Sequence, residues 1–357
     1  MDSVDTVGTA PSPRSQLWKQ AAGYLIGAAC LLWVFHDIHV DRMLVYIGAM
    51  NWWWVIPAVA FDILGYVCEG MRWHYLLRPA GRLSVLRATE AVYIGLFTNE
   101  VTPMRLGEVV RTYLASRWME TPISRVVPSM LVSRLLDATW LALGFGVLAI
   151  FVPLPGNLLF AGDVLGAGVL VLVAVFLAFV MAEPAVVSRW AVHRHFPRGR
   201  LGSIKSAIGR IGEGLLQIGT VRTLLLPAII SLGIPAFQAL SYWLVMEAYH
   251  LHLPFLAGAA AYWILRFGTS VPNAPANVGS YQFFAVLGLG LFGVEKTAAT
   301  GFSVVVFIIL TLPLWALGLL ALSRSGLTLA AIREDLRRLS RPADSVRQPP
   351  LDRGPVF

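Results

Sequence analysis

A charged, proline-containing segment interrupts an otherwise apolar stretch at residues 99–111. It reads Asn-Glu-Val-Thr-Pro-Met-Arg-Leu-Gly-Glu-Val-Val-Arg. Hydrocarbon cannot satisfy ions or unpaired backbone groups, so at membrane depth such a break is tolerated only where protein or a water-filled cavity covers it. The segment therefore predicts a polar cavity, which we take as the candidate functional site.

The composition is that of a membrane protein. Hydrophobic residues make up 57% of the chain and charged residues 13%, with a mean hydropathy of +0.69. A soluble core does not require so much apolar sequence. The net charge of +8 could indicate a nucleic-acid partner, but the basic residues lie between apolar runs. Membrane orientation explains them better, and we expect no nucleic-acid partner.

The apolar runs predict an all-α, polytopic integral membrane protein with six transmembrane helices. These runs cover residues 17–35, 53–77, 128–152, 164–181, 224–249 and 298–322. Two further pairs of apolar pieces are each too short to span a bilayer. They cover residues 89–97 with 106–114, and 257–267 with 283–292.

Each short pair flanks a break and is predicted to form a re-entrant hairpin. The helix-breaking residues are Pro103, Gly107, Pro272, Pro275 and Gly279. The two halves of the chain then repeat one pattern around hairpins that enter from opposite sides. This arrangement is typical of transporters with inverted repeats.

The distribution of basic residues predicts that both termini are cytoplasmic. Residues 1–16 and 323–357 are then cytoplasmic tails, the second one basic, on either side of a membrane domain at 17–322. The basic loop at 183–222 also falls inside. Its apolar residues recur at helical spacing between 201 and 218, which predicts an amphipathic helix that either covers the bundle or lies on the inner leaflet.

Polar residues near the two breaks are the candidate site. Arginines outnumber the central carboxylate of the first break, and a guanidinium can grip phosphate in a bidentate manner. Arg266 has no acidic residue within four positions, so an anionic partner from elsewhere or a ligand is expected. The candidate residues are Arg72, Asn99, Arg105, Glu108, Arg111, Arg134, Asp137, Arg266, Asn273, Asn277 and Gln282.

Two questions stay open at this level. Glu69 and Arg72, Glu108 and Arg111, and Arg134 and Asp137 are three residues apart, so each pair either only neutralises its own charges on one helix face or serves a ligand. Asp62 lies seven residues before Glu69, and it either accepts hydrogen bonds from neighbouring helices or takes part in proton coupling. Gly23 and Gly27 are spaced for close helix contact.

No pattern indicates a cofactor or a metal. The two cysteines, Cys30 and Cys68, form no CxxC pair, and the histidines are scattered. The segment 288–293 matches GxGxxG but lies in an apolar membrane stretch without a βαβ context.

Taken together, these motifs resemble those of the flippase-like transmembrane region of lysylphosphatidylglycerol synthases. The resemblance rests on Asn99…Pro103-x-Arg105-x-Gly107-Glu108-x-x-Arg111, on Arg72-Trp73-x-x-Leu76-Leu77, on Arg134-x-x-Asp137 and on Pro275-Ala-Asn-Val-Gly279-x-x-Gln282. Ser133 and Gln282 stand where many members have Glu, and no stretch resembles the soluble synthase domain of two-domain relatives.

The resemblance implies a protein of the plasma membrane, the inner membrane of a bacterium, that moves lipid between leaflets. Its arginines would contact an anionic head group, Glu108 and Asp137 would orient them, and the amides would line the path. The expected partners are the bilayer, a lipid substrate, and either a second copy of the chain or a lipid-biosynthetic enzyme. We expect a non-enzyme; the alternatives are an intramembrane transferase with Glu108 as base, or a non-catalytic subunit of a biosynthetic complex.

Overall fold

The computed structural model describes residues 13–102, 106–181, 221–270 and 275–326, and all regular elements within these ranges are helices. In chain order the helices are α1 (Pro13–Phe35), α2 (Val40–Gly48), α3 (Val55–Leu77), α4 (Val85–Val101), α5 (Gly107–Trp118), α6 (Ile123–Phe151), α7 (Gly156–Met181), α8 (Val221–Ala248), α9 (Phe255–Ser270), α10 (Ser280–Gly290) and α11 (Lys296–Arg324). Single helical turns at Trp52–Trp54 and Pro275–Asn277 precede α3 and α10.

Five helical stretches in the described residues are long and apolar enough to cross a bilayer. They are Trp52–Leu77, Ile123–Phe151, Gly156–Phe176, Thr223–Ala248 and Lys296–Arg324, and they confirm five of the six predicted spans. Large apolar side chains on α1, α6 and α7 are exposed, among them Leu32, Ile150 and Leu170. Hydrocarbon is the environment that such surfaces require, so the protein is a multi-pass membrane protein.

The first predicted span, 17–35, lies within α1 (Pro13–Phe35). Beyond Phe35 the chain turns, and the segments Gly23–Phe35 and Val40–Gly48 are bent by 86° relative to each other. The polar residues that follow position 35 in the sequence lie at this bend. The helix also begins at Pro13, four residues before the predicted start of the membrane domain. The loop helix predicted at 201–218 lies outside the described residues, as do most of the two predicted tails.

Helix packing follows a pattern that occurs twice. Helices α4 and α5 pack on each other, as do α9 and α10. The first helix of each pair contacts the long helix that follows the other pair: α4 contacts α11, and α9 contacts α6. The second helix of each pair contacts the long helix that follows it in the chain: α5 contacts α6, and α10 contacts α11. The set α3 to α6 is therefore matched by the set α8 to α11, each with one helix hairpin between two longer helices. The two breaks predicted from sequence fall at the tips of these hairpins.

The matching helices α3 and α8 run antiparallel and form the largest helix contact. The backbone N–H of Asn51 donates to the carbonyl of Ala248 at 2.9 Å, Phe61 and Phe237 stack with ring centroids 5.9 Å apart, and Arg72 lies 3.4 Å from Ser231. Residue numbers thus rise along one helix as they fall along the other. The first helices of the two matched sets therefore run in opposite directions.

Two large buried clusters form most of the apolar core. One joins α3, α4, α5 and α6 around Trp73 and Leu114, together with Ala321 of α11. The other joins α8 to α11 around Tyr242 and Phe302, together with residues of α1 and α3. The apolar core therefore ties the two sets of helices to each other.

Glycine at two positions of the breaks permits close approach of backbone. Gly107 is the first residue of α5, and a Cβ atom there would overlap the carbonyl oxygen of Gly95 on α4. Gly279 has φ of +91°, and a Cβ atom there would overlap the carbonyl oxygen of Gly27 on α1. Gly279 therefore combines a left-handed backbone with a contact that no larger residue permits. The expected close contact at Gly27 is confirmed, with Gly279 as its partner.

Candidate functional site

A cavity of about 480 Å³ lies between the two halves. Its wall is built by α3, α4, α5 and α6 from the first half and by α8, α9, α10, α11 and the turn before α10 from the second. The charged side chains in its lining are Asp62, Glu69, Glu100, Glu108, Arg134, Asp137 and Arg266. Charged groups are held inside the helix bundle, away from the lipid-facing surface.

Three ion pairs between α3, α5 and α6 lie behind and beside this wall: Arg72 with Asp137, Arg111 with Glu69, and Arg134 with Glu108. Arg72 Nη1 lies 2.5 Å from Asp137 Oδ1, and Arg111 Nη1 lies 2.5 Å from Glu69 Oε1. Each pair joins two different helices. The predicted pairs of Glu69 with Arg72 and of Glu108 with Arg111, both within one helix, are not formed, because a residue on a neighbouring helix satisfies each charge instead.

Arg134 pairs with Glu108 and also contacts Asp137, the partner of Arg72. Its Nη2 lies 2.5 Å from Glu108 Oε1 and its Nη1 lies 3.3 Å from Asp137 Oδ2. The contact with Asp137 is the pair that the three-residue spacing predicted on α6. Asp137 therefore accepts from two arginines, one buried and one that faces the cavity.

Arg72 and Arg111 are not on the cavity wall. Both are buried, with exposed fractions of 1% and 4%, and the guanidinium of Arg111 stacks on the ring of Trp73 at 4.1 Å. Their predicted role as direct head-group contacts therefore finds no support in this geometry. The structure instead places them as counter-ions that hold Asp137 and Glu69 in position.

Arg266 differs from the other arginines of the site. It lies on α9, in the second half, and its side chain faces the cavity. Within the described part of the chain no carboxylate lies within ion-pair distance of it. In the sequence Arg266 has no acidic residue within four positions. In the described part of the structure, no other helix places a carboxylate within ion-pair distance of it either.

Of the neutral polar candidates that the structure describes, Asn99 and Asn277 line the cavity and Gln282 does not. Asn99 lines the cavity, and its Oδ1 accepts a hydrogen bond from the backbone N–H of Gly107 at 2.7 Å, so it also ties the two helices of the first hairpin together. Asn277 lines the cavity from the turn before α10. Gln282 does not, because its Oε1 accepts from the backbone N–H of Gly279 at 2.8 Å and caps α10.

Four of the predicted residues cannot be placed. Pro103, Arg105, Pro272 and Asn273 lie outside the described residues. Pro275 begins the single turn that precedes α10. The polar hairpin tips predicted from sequence are therefore described only at their flanks.

Aromatic side chains form much of the remaining wall, and the sequence reasoning missed them. They are Tyr66, Trp140, Tyr242, Tyr262, Trp263, Tyr281 and Phe307. The hydroxyl of Tyr262 donates to Gln238 Oε1 at 2.8 Å, whereas the buried hydroxyl of Tyr242 has no hydrogen-bond partner in the part of the chain that the structure describes. The only available signal was the position of Tyr66, one helical turn after Asp62, because aromatic residues are otherwise expected throughout membrane helices.

One part of the wall is apolar. Leu96 on α4 and Leu310 and Leu314 on α11 line the cavity beside the polar groups. A ligand in this space would therefore contact both charged and apolar side chains. Within the described residues no cluster of three His, Cys, Asp or Glu side chains could hold a metal ion.

Comparison with known proteins agrees with this architecture. The sequence profile of a family described as the lysylphosphatidylglycerol synthase TM region matches residues 20–318. No curated protein matches the chain. The matched region includes every helix from α2 to α10 and both hairpins, and the family is associated with lipid modification or flipping. The chain belongs to the lysylphosphatidylglycerol synthase TM region family.

Proposed function

We propose that this protein binds an amphiphile with an anionic head group in the cavity and moves it between the two leaflets of the bilayer. The observation that carries the proposal is Arg266, a cation that faces a polar cavity inside a membrane protein without an ion-pair partner in the described chain. The side chain is exposed to the open cavity, so a ligand can reach it, and charged residues at membrane depth commonly mark the path of an oppositely charged substrate, in this case an anion. A phosphate or another acidic head group supplies that anion.

The other charges of the site strengthen this argument by elimination. Arg72, Arg111 and Arg134 each have a carboxylate within 2.5 Å. Their charges are therefore already balanced by the protein. Among the arginines of the site that the structure describes, Arg266 is left as the primary anchor for a head group, and Arg134, which is about half exposed, would make a secondary contact.

The apolar part of the wall favours an amphiphile over a soluble anion. Leu96, Leu310 and Leu314 lie beside the charged groups, so acyl chains would extend past them toward the bilayer. The inverted halves also suit translocation, because two equivalent conformations can open a central site to opposite sides in turn. In this proposal α4 with α5 and α9 with α10 act as re-entrant hairpins that enter from the cytoplasm and from outside.

The proposed setting follows the distribution of charge. The protein would lie in the plasma membrane, the bacterial inner membrane, with both termini cytoplasmic. A second copy of the chain or a lipid-biosynthetic enzyme is a candidate partner. A transferase would need a free base, and Glu108, the strongest candidate from the sequence, already has one carboxylate oxygen 2.5 Å from Arg134.

The test is leaflet-resolved transport of phosphatidylglycerol in liposomes that contain only this protein. Fluorescent phosphatidylglycerol at tracer level is quenched in the outer leaflet, and the rate at which lipid becomes accessible is measured for the wild type, Arg266→Gln and Arg125→Gln. Arg125 is an exposed arginine outside the cavity, so its substitution is a matched control. A hydrogen bond to a charged group is worth about 1.5–3 kcal/mol, so Arg266→Gln should slow transport roughly 10- to 150-fold.

Two results would contradict the proposal. Transport by Arg266→Gln at the wild-type rate would show that Arg266 is not the anchor. A change in the mass of the lipid during incubation would indicate group transfer in place of translocation. Arg125→Gln should match the wild type, and a defect there would point to a general loss of folded protein.

A further inference from the structure

Asp62 is a carboxylate that lines the same cavity as Arg266. It lies on α3 and is 4% exposed. In the described part of the chain its side chain makes no hydrogen bond and no ion pair. A buried carboxylate is normally paired or hydrogen-bonded, because burial alone disfavours its charged form.

Arg266 lines the same cavity from α9 and, within the described residues, has no ion-pair partner. The other groups of the wall that ionise or carry charge are Tyr66 and Glu69 on α3, Glu100 on α4, Glu108 on α5, Arg134 and Asp137 on α6, Tyr242 on α8, Tyr262 on α9 and Tyr281 on α10. Among these, Glu69, Glu108 and Asp137 have arginine partners of their own. Helix α11 contributes apolar residues and Thr311 to the wall. Asp62 and Arg266 are therefore two groups of opposite charge in one cavity wall, and neither has an ion-pair partner among the described residues.

We propose that Asp62 takes up one proton when an anionic head group binds Arg266, so that the cavity loads lipid and proton together. This inference rests on the function proposed above and concerns how transport is energised. The step is a simple protonation in which the carboxylate and a proton from water give the carboxylic acid, and no other bond changes.

The physical reason is a change in the charges that surround Asp62. Before binding, Arg266 offsets part of the cost of a buried carboxylate. A bound phosphate neutralises that cation and adds a negative charge to the same cavity. Both changes disfavour the ionised form of Asp62, and protonation removes its negative charge from the neighbourhood of the bound anion.

Other groups are less suited to this role. Glu69, Glu108 and Asp137 each have an arginine at 2.5 Å. Glu100, which also lines the cavity, has an interaction of its own. No histidine contributes to the described wall of the cavity. Asp62 is therefore the carboxylate whose charge balance depends most directly on occupancy of Arg266.

Linkage fixes the direction of the pH effect. Because the bound state holds one more proton than the free state, affinity for the anionic lipid should weaken as pH rises, by up to about tenfold per pH unit. The coupling is reciprocal, so bound lipid increases the affinity for the proton by the same factor. A proton gradient could then drive movement of the lipid in one direction.

The experiment measures protons taken up when short-chain dihexanoyl phosphatidylglycerol binds the full chain in detergent. Titration calorimetry in two buffers of different ionisation enthalpy gives the proton count, and titrations between pH 5 and 9 give the dependence of Kd on pH. Wild-type protein should take up close to one proton per lipid at the pH where Kd changes most steeply. Asp62→Asn should take up none, and its Kd should be independent of pH.

The control is Asp163→Asn, which makes the same change at an exposed position on α7 outside the cavity and should behave as the wild type. Lipid binding by the wild type without proton uptake would overturn the inference and leave the proposed function intact, and this readout does not depend on any variant folding. Unchanged proton uptake by Asp62→Asn would place the proton elsewhere and also overturn it. Failure of the wild type to bind the lipid would instead contradict the proposed function.

Discussion

The ion pairs around Asp137 predict an asymmetry between its two neighbours. Arg72 is 1% exposed, and within the described residues its guanidinium contacts Asp137 and, at 3.4 Å, the hydroxyl of Ser231. Asp137 is 28% exposed and has a second arginine, Arg134, at 3.3 Å. Removal of the Asp137 carboxylate therefore leaves the buried Arg72 without a counter-ion, whereas removal of Arg72 leaves Asp137 paired with Arg134.

Magnitudes follow from this difference. Breaking a buried pair so that one charge is left uncompensated costs about 3–5 kcal/mol. Because the polar cavity partly solvates the pair on the side of Asp137, we expect the lower end, about 3 kcal/mol, for Asp137→Asn. For Arg72→Met we expect about 1 kcal/mol, since an apolar side chain replaces the guanidinium and Arg134 remains.

The assay is thermal unfolding of the purified variants in detergent. A loss of 1 kcal/mol corresponds to roughly 2 °C for a protein of this size, so Asp137→Asn should lower Tm by about 6 °C and Arg72→Met by about 2 °C. The double variant should be more stable than Asp137→Asn alone, because it removes the stranded cation. Equal losses for the two single variants, or a double variant no better than Asp137→Asn, would refute the reasoning.

Two further predictions concern the hairpins and the topology. Gly107→Ala should lower stability by about 2–3 kcal/mol, because the new methyl group overlaps the carbonyl oxygen of Gly95; Gly146→Ala, with nothing within 4 Å of its added atom, should cost nothing, and equal melting temperatures for the two variants would contradict the close packing. In a cysteine-free background, a membrane-impermeant thiol reagent added to sealed cells should label Val40→Cys and miss Lys205→Cys; external labelling of position 205 would invalidate the assigned orientation.

The helical elements could be predicted from the sequence because the signal for them is local. A run of about 20 apolar residues must cross the bilayer as a helix whatever surrounds it. Five predicted spans accordingly match helices in the structure to within a few residues at most ends. The first predicted span ends at Phe35, as α1 does, but the helix α2 (Val40–Gly48) and the sharp bend before it were not predicted. Bends depend on neighbouring helices, which the local sequence does not reveal.

The choice of ion-pair partners shows the limit of such reasoning. Three-residue spacing makes a pair possible on one helix face, but it does not exclude a better partner on another helix. Arg111 pairs with Glu69 and Arg72 with Asp137 because α3, α5 and α6 approach one another at that depth. The same local spacing gave the correct answer only for Arg134 with Asp137.

What the sequence determined by itself was the membrane class, the position of the polar breaks and the isolation of Arg266, since each depends on residue order and on the cost of charge in hydrocarbon. Only the tertiary structure decided which polar groups face the cavity. The fold buries Arg72 and Arg111 away from the cavity and uses Gln282 to cap a helix. It also places Asp62 and Arg266, which belong to different halves, in the wall of one cavity. The physical reason is that burial and pairing depend on which helices meet, and in an inverted two-half bundle those helices are far apart in the chain.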